Sequence, residues 1–178
     1  MYRSILTLAL LALPLSLACG DKEGDDSGTS DGGATDGGTD GGVECDTTNE
    51  DCGPGSCEGE GANMLPGADC IACHSPGNYE EDEGDAFWTA AGTVFVDDVG
   101  SDGKSGAIVR ITDSTGNTVE LATSAAGNFF TTDPLVPPLS AEVEVEGVVI
   151  DMGTEVETGA CNSCHKCDGD AGAKLYAP

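Results

Sequence analysis

Residues 92–132 read GTVFVDDVGSDGKSGAIVRITDSTGNTVELATSAAGNFFTT, and they carry the clearest indication of fold in the chain. Short runs rich in Val, Ile, Thr and Phe alternate with clusters of Gly, Asp, Asn and Ser. Such runs, bounded by turn residues, are typical of strands in an all-β domain. The clusters Asp113–Asn117 and Ala125–Asn128 are predicted turns. We therefore expect a mainly β fold, a small Greek-key β-sandwich.

The predicted strands continue beyond this stretch. They are Gly92–Val96, Ala107–Thr112, Thr118–Ala122, Asn128–Thr132, Ala141–Glu146 and Val148–Asp151. In Ala141–Glu146 apolar and acidic residues alternate strictly, so we expect the valines on one face and the glutamates in water. No segment carries the periodicity of an amphipathic helix.

The same residues resemble the carboxypeptidase regulatory-like, transthyretin-like sandwich family. The resemblance rests on Gly92, on Ser105–Ala107 before an Ile-Val strand, on the turn at Asp113–Asn117 and on Ala126–Phe129. That family uses the module for support or binding. The resemblance therefore implies no active site within the sandwich itself.

Two copies of the pattern CxxCH flank the predicted sandwich. They are Cys70-Ile71-Ala72-Cys73-His74 and Cys161-Asn162-Ser163-Cys164-His165. In c-type cytochromes the two thiols add to the haem vinyl groups, and the adjacent His binds the iron. Together the copies use both histidines of the chain and four of its nine cysteines. We expect two covalently attached c-type haems, with His74 and His165 as iron ligands.

Two other interpretations of these cysteines stay open. The two CxxC pairs have the arrangement of a four-thiolate zinc site, as in zinc ribbons. Alternatively, all the cysteines after Cys19 form disulfides in a small secreted scaffold. Neither interpretation explains why a His follows the second Cys of both pairs.

The second axial ligand of each iron is not fixed by the motifs. Bis-histidine ligation would need further histidines, and the chain has only two. Met64 lies shortly before the first motif and Met152 shortly before the second, so both are candidate distal ligands. The alternative is that each Met only fills space in the core. If neither ligates, the irons are five-coordinate or bind Lys or water, which would permit peroxide or small-gas chemistry.

Residues 64–178 as a whole resemble a group of bacterial exported dihaem proteins, in which a carboxypeptidase regulatory-like module lies between two CxxCH motifs. The resemblance implies that two sets of residues hold the haems. They are Cys70, Cys73 and His74, and Cys161, Cys164 and His165.

The first eighteen residues, MYRSILTLALLALPLSLA, have a basic start, an apolar run and a small-residue end, as a secretory signal peptide does. Leu15–Cys19 resembles the lipobox of bacterial lipoproteins, which implies that Cys19 is acylated and anchors the chain to a membrane. Gly20 follows, where an Asp often marks retention in the inner membrane. We therefore expect an outer-membrane lipoprotein, on the periplasmic or cell-surface face.

After the signal peptide, the chain divides into four parts. Residues 19–43 are a Gly- and Asp-rich tether with too few apolar side chains to fold. Residues 44–85 hold the first haem motif, residues 86–152 the sandwich, and residues 153–178 the second haem motif.

Four cysteines remain after lipidation and haem attachment: Cys45, Cys52, Cys57 and Cys167. They are candidates for two disulfides, and three connectivities are possible. A bridge from Cys167 to one of the other three would tie together the two haem segments that flank the sandwich.

The charge excludes one class of partner and favours another. With 33 acidic and six basic residues the formal net charge is −27, so no basic face for nucleic acid can form. The acidic excess serves solubility, or it steers a basic redox partner towards the protein.

The predicted function is electron transfer outside the cytoplasm, with other redox proteins as partners. Both histidines are already used as iron ligands, which argues against a hydrolase. The alternative is a surface lipoprotein for binding or adhesion, with disulfides or zinc in place of haem. A haem enzyme with an open iron site, such as a peroxidase, is a third possibility.

Overall fold

The computed structural model of the chain describes residues 44–52, 61–76 and 87–178. They contain two β-sheets and two single-turn helices. In chain order the elements are α1 (Cys70–Cys73), β1 (Ala90–Thr93), β2 (Ile108–Thr112), β3 (Thr118–Ala122), β4 (Asn128–Thr131), β5 (Ser140–Val145), β6 (Val148–Asp151), β7 (Gly159–Ala160) and α2 (Cys161–Cys164). The predicted mainly β fold is confirmed.

The two sheets pack around one apolar core. The first sheet has the strand order β3-β2-β5-β6 and is antiparallel throughout. The second has the order β4-β1-β7, with β4 antiparallel and β7 parallel to β1. Val109, Ile111 and Val143 of the first sheet share a buried cluster with Ala90 and Phe129 of the second. This arrangement is the small β-sandwich expected from the sequence.

The strand expected at Gly92–Val96 is Ala90–Thr93 in the structure. It ends there because the hydrogen-bond partners change. Val94 donates to the Gly127 carbonyl at 2.9 Å, whereas Phe95 donates to the Leu175 carbonyl at 2.8 Å. Strand β7 is not among the predicted strands, because two residues are too few to show a periodicity.

The alternation in β5 has the predicted effect, with one refinement. Val143 is buried in the core. On the other face, Arg110 forms ion pairs with Glu120, Glu142 and Glu144 at 2.8, 3.1 and 2.7 Å. These glutamates are therefore held in a charged cluster and do not simply extend into water.

Strand β4 directs adjacent phenylalanines to opposite faces of the three-stranded sheet. Phe129 is 3% exposed and belongs to the core, whereas Phe130 is 43% exposed on the outer face. Successive side chains of a strand alternate between faces. One ring therefore packs inside the sandwich, and the other covers its outside.

The C-terminal segment is part of the sandwich. Leu139 and Val156 form a bridge outside the main ladders, and Phe95 pairs with Tyr176. Ala177 lies in the core cluster, and Leu175 packs against it. The segment that carries the second CxxCH motif therefore returns to the sheet on both sides of that motif.

Gly116 and Gly127 both have a left-handed backbone, but only Gly127 is also in close contact with its neighbours. Substitution by alanine at the two positions therefore distinguishes the cost of the backbone conformation from the cost of a steric clash. Gly116 (φ +84°) has nothing within 4 Å of an added Cβ, whereas an added Cβ at Gly127 (φ +81°) would lie 2.1 Å from the Val94 carbonyl oxygen. We predict that Gly116→Ala costs about 1 kcal/mol, because only the backbone preference is lost. Gly127→Ala should cost at least twice as much in urea unfolding. Equal losses would contradict this packing of the turn against β1.

Candidate functional site

Both CxxCH motifs adopt the same local structure, a single helical turn. In α1 the backbone N–H of His74 donates to the Cys70 carbonyl at 2.8 Å. In α2 the N–H of His165 donates to the Cys161 carbonyl at 2.9 Å. Residues three apart in a helix lie on the same side. Each turn therefore places two sulfur atoms on one side, with an imidazole directly after them.

The two motifs lie beside each other at strand β1, although they are far apart in the sequence. A Cβ added at Gly92 would lie 2.8 Å from the Cβ of Cys161, so only glycine permits this approach of α2. Cys70 is close enough to Cys161 to act on its pKa through its charge. The fold therefore brings the two candidate haem segments together.

A buried side chain, Asn162, joins the two motifs. Its amide nitrogen donates to the Ala68 carbonyl at 2.8 Å and to the Thr93 hydroxyl at 3.1 Å. Its amide oxygen accepts from the Thr93 backbone N–H at 3.0 Å. The Thr93 hydroxyl also donates to Asn128 at 2.7 Å. Within this network Asn162 is 3% exposed, so its polar atoms have these protein partners in place of water.

Three of the four motif cysteines are free thiols with raised pKa values. Burial, followed by the negative charge of Asp69, raises the pKa of Cys70 to about 11. The same causes raise the pKa of Cys73. Burial, followed by the nearby Cys70, raises the pKa of Cys161 to about 12. At neutral pH these groups are protonated thiols and not reactive thiolates.

The motif cysteines do not gather into a metal cluster. Within the described residues, only Cys45, Glu50 and Cys167 bring three potential ligand atoms within 4.8 Å of one another. In that group both sulfur atoms belong to one disulfide, and the carboxylate is paired with Lys174. The structure therefore gives no support to a four-thiolate zinc site.

A cavity of about 590 Å³ opens beside the second motif. Cys161, Cys164 and His165 line it, and so does Met152, which the sequence had marked as a candidate ligand. Its other walls come mainly from apolar side chains of both sheets and the C-terminal segment, including Val109, Phe129, Val143, Val156 and Leu175. The cavity thus combines two sulfur positions, an imidazole and a thioether on an apolar surface.

The environment of His165 favours a neutral imidazole. Burial lowers the pKa of His165 below its usual value, and a hydrogen bond to the Ala173 backbone opposes this shift only in part. A ring N–H that donates to a carbonyl leaves the other ring nitrogen unprotonated. This tautomer is the one that binds a metal, and the carbonyl also fixes the orientation of the ring.

His74 lies in a different environment, on the outer face of the three-stranded sheet. Its ring stacks on Trp88 with a centroid distance of 3.6 Å. Met64, the candidate ligand near this motif, does not line the cavity of the second motif. The Met64 carbonyl accepts a hydrogen bond from Asn128 at 2.7 Å, which connects this segment to the Asn162 network.

The structure confirms that Cys167 is bridged to the N-terminal cysteine group. Cys45 and Cys167 form a disulfide with Cα atoms 5.8 Å apart. Cys52 is disulfide-bonded as expected, and Cys57 lies outside the described residues. Cys164 is also disulfide-bonded, although a thioether to haem was expected there. One sulfur atom cannot take part in both bonds, so a thioether at Cys164 and this disulfide exclude each other.

A buried ion pair reinforces the Cys45–Cys167 bridge. Lys174 Nζ lies 2.6 Å from Glu50 Oε1, and the Lys174 side chain is only 2% exposed. The same Glu50 oxygen accepts the Cys167 backbone N–H at 2.7 Å. Burial by itself would raise the pKa of Glu50, but these hydrogen bonds and the lysine charge lower it overall.

Sequence reasoning missed Asn162, Trp88 and the Glu50–Lys174 pair. A signal existed for Trp88, because it is the only tryptophan of the chain and it follows the first motif. None existed for Lys174 or Asn162, since their burial depends on partners that are distant in the sequence.

No protein-family model, curated protein sequence or solved structure matches this chain. The predicted signal peptide, the acylation site at Cys19 and the tether at residues 19–43 all lie outside the described residues. Among the residues that are described, no helix is both long enough and apolar enough to cross a membrane.

Asn162 provides a test of the junction between the motifs. Asn162→Ala would leave the Thr93 N–H and the Ala68 carbonyl buried without their partner, so we predict a loss of about 3 kcal/mol in unfolding free energy. Ser163→Ala, in the next position, removes a partly buried hydrogen bond to Ala160 and a weak one with Cys164 Sγ, and it should cost about 1 kcal/mol. Urea unfolding measures both, and equal losses would show that Asn162 is not a junction.

The Glu50–Lys174 pair should make stability depend on pH. The pKa of Glu50 is lowered in the folded state. The carboxylate therefore contributes fully to folding stability above its unfolded pKa, and this contribution is lost as pH falls through the lower, folded-state pKa. We predict that Glu50→Gln costs about 3 kcal/mol at pH 7, since it leaves a buried lysine unpaired.

The control for this pair is Glu120→Gln, at an exposed pair with Arg110, which should cost less than about 1 kcal/mol. The difference in unfolding free energy between the native protein and Glu50→Gln should decrease as pH is lowered through the range in which Glu50 titrates. A gap that is constant with pH, measured by urea unfolding, would contradict the role of this pair.

Proposed function

We propose that the chain is a lipid-anchored dihaem c-type cytochrome that transfers electrons outside the cytoplasm. The observation that carries the proposal is the cavity of the second motif. There Cys161, Cys164 and His165 of the CxxCH turn share one apolar space with Met152. These are the residue types that attach a c-type haem and bind its iron from both sides.

The cavity fits such a group in size and in chemistry. Its volume of about 590 Å³ lies within the range of cofactor sites, ~300–1,000 Å³. Its walls are mostly apolar, which suits a porphyrin plane, and its donors are an imidazole and a thioether. Burial lowers the pKa of His165, which favours the neutral form that binds a metal, and the Ala173 backbone is its hydrogen-bond partner.

We assign a second haem to the first motif by the same reasoning. The turn Cys70–Cys73 has the same closure as the second turn, and His74 follows it. Met64 remains the candidate distal ligand, because it precedes this motif as Met152 precedes the other. The raised pKa values of Cys70 and Cys73 keep both sulfurs as thiols, the form that adds across a vinyl group.

When bound, a haem would supply an iron that takes up and releases one electron at a time. The chain contributes the environment of that iron. Val109, Phe129 and Val143 form part of the apolar wall, which limits water. Methionine as a second ligand raises the reduction potential relative to a second histidine. In this proposal the protein is an electron carrier and not an enzyme.

The disulfide at Cys164 sets a condition on haem attachment. A dithiol reductant would have to transfer two electrons and two protons to the disulfide, giving the Cys164 thiol, the thiol of its partner cysteine and the disulfide form of the reductant. The Cys164 thiol would then be available, with Cys161, to hold a c-type haem through a thioether. Electron transfer by the mature protein does not use this disulfide.

Partners and location follow from charge and from the N-terminal sequence. The net charge of −27 favours basic redox proteins as partners, because opposite fields accelerate encounter. Acylated Cys19 would hold the protein on the outer membrane, with residues 19–43 as the tether. Its face would be periplasmic or exposed on the cell surface.

One observation favours a second candidate function. Cys45, Cys52, Cys164 and Cys167 are all disulfide-bonded in the structure. A surface lipoprotein for binding or adhesion, stabilised by disulfides and without haem, would have this pattern. The alternative differs from the first in one simple property, since a haem protein absorbs strongly in the visible and a disulfide scaffold does not.

The test is the absorption spectrum and intact mass of residues 44–178, exported in a host that attaches c-type haem. We expect the mass of two covalent haems and a methionine-to-iron charge-transfer band. Met152→Leu should keep both haems but lose this band from one of them, with a lower potential at that iron. Met64→Leu is the matched variant and should affect the other iron.

The other outcomes separate the alternatives. Two haems without the band, whose spectra change on adding carbon monoxide or peroxide, would indicate an open-site haem enzyme or sensor. The haem proposal would be refuted by a colourless product of apoprotein mass, obtained from a host that matures a control cytochrome. The surface lipoprotein for binding or adhesion would then be the remaining candidate.

A further inference from the structure

Three aromatic rings stack against one another beside the first motif. The imidazole of His74 lies 3.6 Å from the indole of Trp88, centroid to centroid, with 9° between their planes. On Trp88 the ring of Phe130 stacks at 4.2 Å and 12°. The three planes are nearly parallel, so the imidazole cannot turn far about its Cβ–Cγ bond without meeting the indole.

The main chain fixes this stack at both ends. The Trp88 backbone N–H donates to the His74 carbonyl at 3.2 Å. The next residue, Thr89, donates its N–H to the Thr131 carbonyl at 2.9 Å. Phe130 is paired with Ala91 in the ladder between β4 and β1. Trp88 is therefore tied to the residue that it covers, and also to the sheet that supports Phe130.

The second histidine has no such support. Among the described residues, no aromatic ring stacks on His165, which faces the cavity and has a backbone hydrogen bond at Ala173. The two CxxCH motifs thus have the same turn but different means of orienting the imidazole. The His74 ring stacks on an indole, and the His165 ring has a hydrogen bond to the Ala173 backbone.

We propose that Trp88 is a positioning residue, which fixes the plane of the His74 imidazole relative to its haem. This inference rests on the proposed function, because it concerns the same first haem site. Groups around a ligating histidine set the orientation of its ring. The orientation of the imidazole plane determines the splitting of the iron d orbitals. Trp88 would therefore tune one iron and leave the other unchanged.

The experiment is electron paramagnetic resonance of the oxidised dihaem protein, with three variants. In Trp88→Leu, the His74 imidazole loses the indole ring on which it stacks. One of the two ferric signals should therefore shift and broaden, while the other stays as in the native protein. Trp88→Phe retains an aromatic face and should restore the native signal in large part. Phe130→Leu keeps the indole but removes the aromatic ring that stacks on its other side, so it should broaden the same signal to a smaller extent.

A redox titration gives a second readout on the same samples. Only one of the two one-electron steps should move in Trp88→Leu. Haem content and intact mass are measured first, so that a loss of haem is not mistaken for a change of orientation. If Trp88→Leu does not fold, Phe130→Leu provides the decisive comparison.

The outcomes distinguish this inference from the function on which it rests. A native protein without covalent haem removes the proposed function and this inference with it. Two haems in every variant, with both signals and both potentials unchanged, would overturn the role of Trp88 and leave the cytochrome intact. A shift of both signals in Trp88→Leu and Phe130→Leu would also overturn it, since the residues would then act on the whole fold.

Discussion

The carboxamide of Asn162 joins three parts of the molecule that are far apart in the sequence. It lies within the second motif, bonds to strand β1 through Thr93 and bonds to the segment before the first motif through Ala68. Because the group is buried, each bond that is lost leaves a polar atom without water. The relative position of the two motifs is therefore set by a few hydrogen bonds of fixed geometry. Everything proposed about two adjacent haem sites depends on this junction.

The sandwich provides a frame whose interior is only partly filled by its own side chains. Three of the nine buried residues of the core cluster are alanines: Ala90, Ala107 and Ala177. The second motif borders the remaining space, which Phe129 lines from the three-stranded sheet. A small domain has few apolar side chains to bury, so a large planar cofactor would add substantially to its core. In the proposed protein, stability and cofactor binding are therefore linked.

The sequence predicted local features well and long-range ones poorly. The strands around Asp113–Asn117 and Ala125–Asn128 were predictable, because turn residues and alternation are local signals. That the two motifs lie close together was predicted only through the hypothesis of a disulfide bridge from Cys167. The burial of Lys174 and Asn162 could not be predicted, because it depends on Glu50 and Thr93, which are remote in the chain. The disulfide at Cys164 was expected only in the alternative in which all cysteines after Cys19 form disulfides, because its motif is typical of haem attachment.

The parallel pairing of β1 with β7 constrains the order in which the molecule can form. Ala90 and Ala91 pair with Gly159 and Ala160, so the three-stranded sheet stays incomplete until nearly the whole chain is available. The sequence separation makes this contact slow to form compared with the hairpin of β2 and β3. During folding, strand β1 beside the first motif therefore lacks its β7 neighbour until the C-terminal segment has packed against it. In the proposed cytochrome, that interval would leave the Cys70 and Cys73 thiols open to haem attachment before the sheet is complete.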